Sequence, residues 1–291
     1  MRNGILALIA ILTFGVQTAN ACDMHGITGI VEENGLWIGT DAKGINTITE
    51  EEFNQVLDRV ESIYSPIIAE RGKTLDVIRK WEDGTVNAYA QQTGNVWKIS
   101  MFGGLARHDA ITADGFALVA CHELGHHIGG APKKSSWFGT SWASNEGQSD
   151  YFGNSKCLRK FMEVDDNIAM MATVDVPEYA TKVCMESFSN AEDIAMCQRG
   201  AMAGLSLGNL FKALRNLTTD LKFDTPDTGV VTTTNHNHPA PQCRLDTYFA
   251  GAVCDKDAYT DPSSTNAATG YCTRADDYTN GVRPLCWYKA P

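Results

Sequence analysis

The chain has no apolar run long enough to cross a bilayer. Its longest, "ILALIAILTFGV" at 5–16, has 12 residues, where a spanning helix needs about 20. It also has no excess of positive charge: 24 Lys and Arg stand against 35 Asp and Glu, a formal net of −11. Without a basic stripe, nucleic acid and anionic membrane surfaces are poor partners. No internal repeat is visible, which argues against solenoid and propeller architectures. Charged residues make up 20% and hydrophobic ones 43%, so the chain is not of the disordered class. Its 291 residues suffice for one large domain or two small ones, with a substantial core.

The short apolar run has a different meaning. Arg2 precedes it, and "ANA" at 19–21 supplies small residues at a cleavage position. Residues 1–21 therefore read as a secretory signal peptide. Cys22 follows directly, but Ala19 and Asn20 depart from the lipidation pattern. An exported periplasmic or extracellular protein is expected rather than an outer-membrane lipoprotein. Losing Arg2 makes the mature chain one charge more acidic.

Nine cysteines are present. In an exported protein they should pair oxidatively, and an odd number leaves one over. Cys121, inside an apolar helix beside His122, is the expected free and inert thiol. Cys184–Cys197 is the expected pair, with Cys272–Cys286 second.

Periodicity outlines an α+β chain. Residues 47–72 form an amphipathic helix with a Thr49/Glu52 capping box and a kink or split at Pro66. Residues 74–81, 85–92 and 95–102 read as strands, the last two as a hairpin across a Thr-Gly turn. "ITADGFALVACHELGHHIGG" at 111–130 is a buried helix, capped by Thr112 and ended by Gly129-Gly130. Further helices are expected over 144–162, over 191–217 and from about Pro241 to Cys254, with a loop over 219–241. Residues 22–254 make one domain, and 255–291 form an irregular, disulfide-tied extension packed on it.

The chemistry concentrates in "CHELGHH". His122 and His126 are four apart, so a helix puts both imidazoles on one face, one turn apart, able to share one Zn2+ ion. Glu123 points toward where a zinc-bound water would sit, as its general base. An unpaired carboxylate in so apolar a helix would be costly without such a partner. Pro132 stands where the third histidine of an H-E-x-x-H-x-x-G-x-x-H site would be, so the third ligand must come from elsewhere. "NEGQSDYF" at 145–152 offers Glu146, with Asp150 on the same helical face. Asp150 can accept the outer N–H of His122 and fix its tautomer. His127 lies about 100° around the helix and should pack or hydrogen-bond elsewhere. His25 and His108 are read as structural.

These motifs resemble those of the gluzincin metallopeptidases, in particular the family of HtpX, the CAAX prenyl proteases and the periplasmic BepA-type proteases. "ALVACHELGHHIGG" is similar to that family's zinc helix and "EGQSDYF" to its third-ligand helix. "VNAYA" at 86–90 is similar to its Asn-Ala-Phe/Tyr-Ala strand. The resemblance implies a zincin-like catalytic domain with a small mixed sheet and a mainly helical remainder. It implies that Asn87, Ala88 and Tyr89 lie on an edge to which an extended substrate adds by β-pairing. It also implies a His-Pro followed by an Arg, which "HPAPQCR" supplies as His238 and Arg244; both would stabilise the oxyanion. His236 is a less favoured substitute for His238. The expectation is a zinc endopeptidase acting on peptides or unfolded protein. Two other readings stay open: a catalytically inactive zinc-binding chaperone or adaptor, and a disulfide-rich secreted binding protein.

Overall fold

The computed structural model of the chain describes residues 19–20, 29–42, 44, 48–136 and 139–290. Most of the expected leader, Cys22 and His25 lie outside the described residues. The fold is mixed α+β, mostly helical, with two small sheets and four disulfides. No helix among the described residues is long and apolar enough to cross a membrane. Four disulfides fit an oxidising compartment.

The first sheet holds β1 (Ala19–Asn20), β2 (Thr74–Lys80), β3 (Ala88–Thr93) and β4 (Val96–Phe102) in the order β1-β3-β4-β2. β3 and β4 form the expected antiparallel hairpin, turning through Gly94 at φ +59°. β2 lies parallel to β4 on its other side. Upstream of β3 the edge is lined by residues 29–38 of the same chain. The Ile30 N–H donates to Ala88 O at 3.0 Å and the Ile38 N–H to Gly84 O at 2.8 Å. Trp37 and Thr85 form an antiparallel bridge.

Helix α1 (Glu50–Ala69) opens with the capping box: Thr49 Oγ1 accepts from Glu52 N–H, and Glu52 accepts from Thr49 N–H. It buries Phe53, Val56, Leu57, Val60, Tyr64 and Ile68 along one face, the i, i+3, i+4 stripe of a core-facing helix. Of the expected kink or split at Pro66, the split does not occur: the helix runs on through Pro66 to Ala69, and Pro66 forgoes a single N–H bond there. After the short α2 (Gly103–Ala106) comes α3 (Ala113–Ile128), which begins at Thr112 and ends at Gly129. Every α3 residue from Gly115 to His127 is buried. The sheet, α1, α3 and α8 (Ala191–Leu214) close around the main core.

Between α3 and the third-ligand helix lies a hairpin that periodicity does not announce, β5 (Lys133–Ser136) and β6 (Gly139–Ser144). Next, α4 (Glu146–Phe152) runs through a wide π turn, Gly153–Leu158, into α5 (Arg159–Met162). Two unpredicted helices, α6 (Asn167–Met171) and α7 (Glu178–Ser187), precede α8, and α9 (Pro241–Val253) follows the expected loop.

The disulfides correct two expectations. Cys121 is not free: it is bonded to Cys157 in the π turn, tying α3 to the α4–α5 segment. Cys286 pairs with Cys243, and Cys272 with Cys254, rather than with each other. Cys184–Cys197 forms as expected. The crossed pairs fasten the C-terminal extension to α9 and its end, and it reaches further. Arg283 Nε donates to Gln148 Oε1 at 2.7 Å and Tyr271 Oη to Gly129 O at 2.7 Å.

Cys121 and Cys157 are 36 residues apart, so replacing both with alanine should lower unfolding free energy by about 3–4 kcal/mol. Denaturant melts of the double variant against wild type measure it. An unchanged midpoint would mean that packing alone holds α3 to the π turn.

Candidate metal centre

α3 presents its three imidazoles to two different places. The His122 and His126 rings meet edge to face with centroids 4.8 Å apart. His127, around the helix, is stacked between Trp97 and Trp142, with centroids 5.2 and 4.9 Å away. Its Nε2 faces Lys98 O at 3.1 Å. Burial pushes its pKa down to about 4, so it is a neutral ring joining α3 to the sheets. His108 accepts from Ala110 N–H in a local turn.

The approach of α4 rests on a glycine. A Cβ at Gly125 would lie 2.9 Å from Ser149 Cα, so α3 and α4 touch nearly backbone to backbone. Asn145 Oδ1 caps α4 by accepting from Gln148 N–H at 2.9 Å, which makes Glu146 the first helical residue. Glu146 Oε2 lies 3.3 Å from His122 Nε2 and 3.7 Å from His126 Nε2. One ligand atom from each of the three buried residues falls within 4.8 Å of the others. This group could hold a metal ion.

The far side of each ring is fixed. His122 Nδ1 lies 2.7 Å from Asp150 Oδ1, and His126 Nδ1 donates to Ser144 O at 2.9 Å. With Nδ1 engaged, each ring turns Nε2 toward the cluster. Burial holds His126 well below the ordinary imidazole range, leaving it neutral. Burial also opposes charge on His122, but Asp150 outweighs it and lifts the metal-free pKa to about 9. Burial favours the protonated form of Glu146, yet His238, Lys134 and His126 keep it ionised, well below the ordinary carboxyl range.

Glu123 is the test of fit. It is fully buried, and neither oxygen has a hydrogen-bond partner among the described residues. Burial raises its pKa to about 7. A carboxylate in that position fits a cation with a water beside it and fits little else in an apolar helix. Two imidazoles and a carboxylate form a donor set suited to a borderline divalent ion. A second group, Asp227, Cys243 and Cys286, is no such set, because its two cysteines are bonded to each other.

His238 and Arg244 reach the same region from the loop and from α9. His238 Nε2 lies 3.1 Å from Glu146 Oε2 and 2.9 Å from Gly29 O. Arg244 grips Asp150 with two nitrogens, Nε to Oδ2 at 2.8 Å and Nη2 to Oδ1 at 2.7 Å. Its third nitrogen, Nη1, donates to Ile30 O at 2.6 Å. The arginine thus stands behind His122 and extends only one donor forward. His236 contacts Asn145 instead. Asn87, Ala88 and Tyr89 lie along the lined edge, with the Tyr89 hydroxyl donating to Glu33 at 3.1 Å.

Sequence reasoning missed two members. Lys134 on β5 is buried, with Nζ 2.7 Å from Glu146 Oε1. Tyr248, one turn after Arg244 on α9, donates its hydroxyl to Asp150 Oδ1. The i, i+4 spacing could have exposed Tyr248; "APKKSS" offers no signal for Lys134.

No family model, no curated protein and no solved structure matches this chain.

Two measurements follow. Asp150→Asn should weaken metal binding about 10–100-fold, and Glu146→Ala more than that, read by competition titration against a chromophoric chelator. Asp150 also carries stability. Burial alone would raise its pKa, but Arg244 and His122 lower it from 3.8 to about 2. That stability is complete above the ordinary value and is lost as pH falls through the depressed one. In metal-free protein the gap between wild type and Asp150→Asn should shrink by about 2 kcal/mol between pH ~5 and pH ~2.

Proposed function

We propose that the protein is a zinc-dependent endopeptidase of the gluzincin type, acting on extended or unfolded peptide segments outside the cytoplasm. The observation that carries this is the convergence of His122, His126 and Glu146 beside a buried Glu123 that has no hydrogen-bond partner among the described residues. The donor set, tetrahedral in need and incomplete by one, suits zinc better than the hard cations, which prefer all-oxygen sites. When bound, the ion supplies a Lewis acid and lowers the pKa of a water at its open position.

The chain's own groups do the rest. Glu123 takes a proton from the attacking water and returns it to the leaving amine. A carboxyl whose pKa is raised to about 7 can do both near neutrality. Asp150 holds His122 in one tautomer, and Arg244 holds Asp150. His238 Nε2 and Arg244 Nη1 are donors aimed at main-chain carbonyls beside the centre, the placement that stabilises negative charge on a carbonyl oxygen. The edge carrying Asn87, Ala88 and Tyr89, lined by residues 29–38, would pair with a peptide that takes the place of that segment.

Glu123→Gln keeps the shape of the site but removes the base. It should retain zinc while turnover of a reduced, unfolded protein falls about 10²–10⁴-fold. Metal content and peptide release measured on one sample decide it; unchanged turnover refutes the general-base role.

A further inference from the structure

Residues 29–31 touch the groups just described, and they do so as a bound peptide would. The Ile30 N–H donates to Ala88 O at 3.0 Å. The Asn87 side chain clasps Val31 from both sides, Oδ1 accepting its N–H at 3.4 Å and Nδ2 donating to its C=O at 3.2 Å. His238 Nε2 takes the Gly29 carbonyl, and Arg244 Nη1 takes the Ile30 carbonyl. Further along, the same segment forms the antiparallel Trp37–Thr85 bridge on this edge. Ile30 is fully buried and Val31 nearly so. One segment thereby engages the pairing edge, the asparagine clamp and both nitrogen donors, His238 Nε2 and Arg244 Nη1, in consecutive residues.

We propose that this segment is an internal substrate and that the chain hydrolyses its own Gly29–Ile30 bond. The inference rests on the endopeptidase reading and names its first substrate. The carbonyl under attack is that of Gly29, since His238, which also faces Glu146, holds its oxygen. Water adds hydroxide to the Gly29 carbonyl carbon, the C–N bond to Ile30 breaks, and Glu123 passes the remaining proton to the Ile30 nitrogen. One water is consumed, and the proton of the new Gly29 carboxyl group moves to the freed amine, leaving a Gly29 carboxylate and an Ile30 ammonium beside Ala88 O.

Two further observations agree. Gly29 has φ +76°, and a Cβ there would lie 2.1 Å from Asn87 Oδ1 and 2.5 Å from Ala88 O. Only glycine seats at this position, which makes Gly before a branched aliphatic residue the preferred cleavage pair. The sequence adds a count. Cys22, the ninth cysteine, lies before this bond, so the chain from Ile30 onward keeps eight, all of them in the four disulfides.

The test uses the full chain, purified metal-free and then supplied with zinc. Intact mass and N-terminal sequencing should show a new terminus at Ile30, formed at a rate independent of protein concentration. The product should be absent with chelator and in Glu123→Gln. Appearance of the same product in Glu123→Gln would assign the cut to another protease and overturn the proposal. Seating is read without any activity: in metal-free protein, hydrogen exchange at the Ile30 and Val31 amides should be slow, and Gly29→Val should lose that protection. If Gly29→Val does not fold, Gly29→Ala serves, because its Cβ meets the same two atoms. Rapid exchange in the wild-type chain overturns the seating. Should the zinc-loaded chain degrade an unfolded protein in a Glu123-dependent way yet keep Gly29–Ile30 intact, the internal substrate is refuted and the endopeptidase stands. Should it bind no zinc and cut nothing, both fall.

Discussion

The carboxylate of Asp150 is the hinge of this molecule's chemistry. It is wholly buried, yet three elements depend on it: α3 through His122, α4 on which it sits, and α9 through Arg244 and Tyr248. A buried carboxylate is expensive unless its lone pairs are all engaged, and here the guanidinium, imidazole and phenol engage them. The arrangement works in both directions. Arg244 could not sit beside Ile30 without a counter-charge, and His122 could not hold one ring face toward Glu146 without a fixed Nδ1. Removing the hub strands a buried arginine as well as leaving His122 loose, so folding and the candidate metal centre are coupled at one residue.

What keeps that hub in register is close contact between helices. Gly125 lets α4 approach α3, and the Cys121–Cys157 bond clamps the π turn just beyond. From the other side the C-terminal extension bears on α4, through Arg283 on Gln148 and through Tyr151, whose hydroxyl donates to Gly281 O. The extension has almost no regular structure, and its two disulfides to α9 and Cys254 substitute for it. Placing Glu146 beside His122 and His126 is then a shared task of a glycine, three disulfides and a cap.

The centre was more legible in the sequence than its surroundings. Spacing alone carried His122, His126 and Asp150, because a helix converts i, i+4 into a shared face. Thr49 and Thr112 announced their helices by capping chemistry. The failures have physical reasons. Cys121 looked inert because its partner lies 36 residues away in a turn whose π geometry no pattern encodes. Nothing in "APKKSS" marks Lys134, yet β5 turns it inward to Glu146. In "IVEENGLWIG" only the first residues are buried, so no periodic pattern marks it. Its contacts are set by the edge it lies on, not by any period of its own.

That last point bears on how the edge behaves. An unpaired strand edge is a liability, since its N–H and C=O groups invite any passing chain. Here residues 29–38 satisfy the groups of 84–88. Covering an edge needs only main-chain pairing and side chains that tolerate it. It does not require the Gly29 carbonyl to meet His238, nor the Ile30 carbonyl to meet a buried arginine already committed to Asp150. Those two contacts draw on donors that sit beside the candidate metal-binding group and contribute nothing to closing a sheet. A purely protective strand could have stopped short of them at no cost to the edge. The cover reaches past the edge, and so the same hydrogen bonds that complete the fold also set the Gly29 and Ile30 carbonyls on His238 and Arg244.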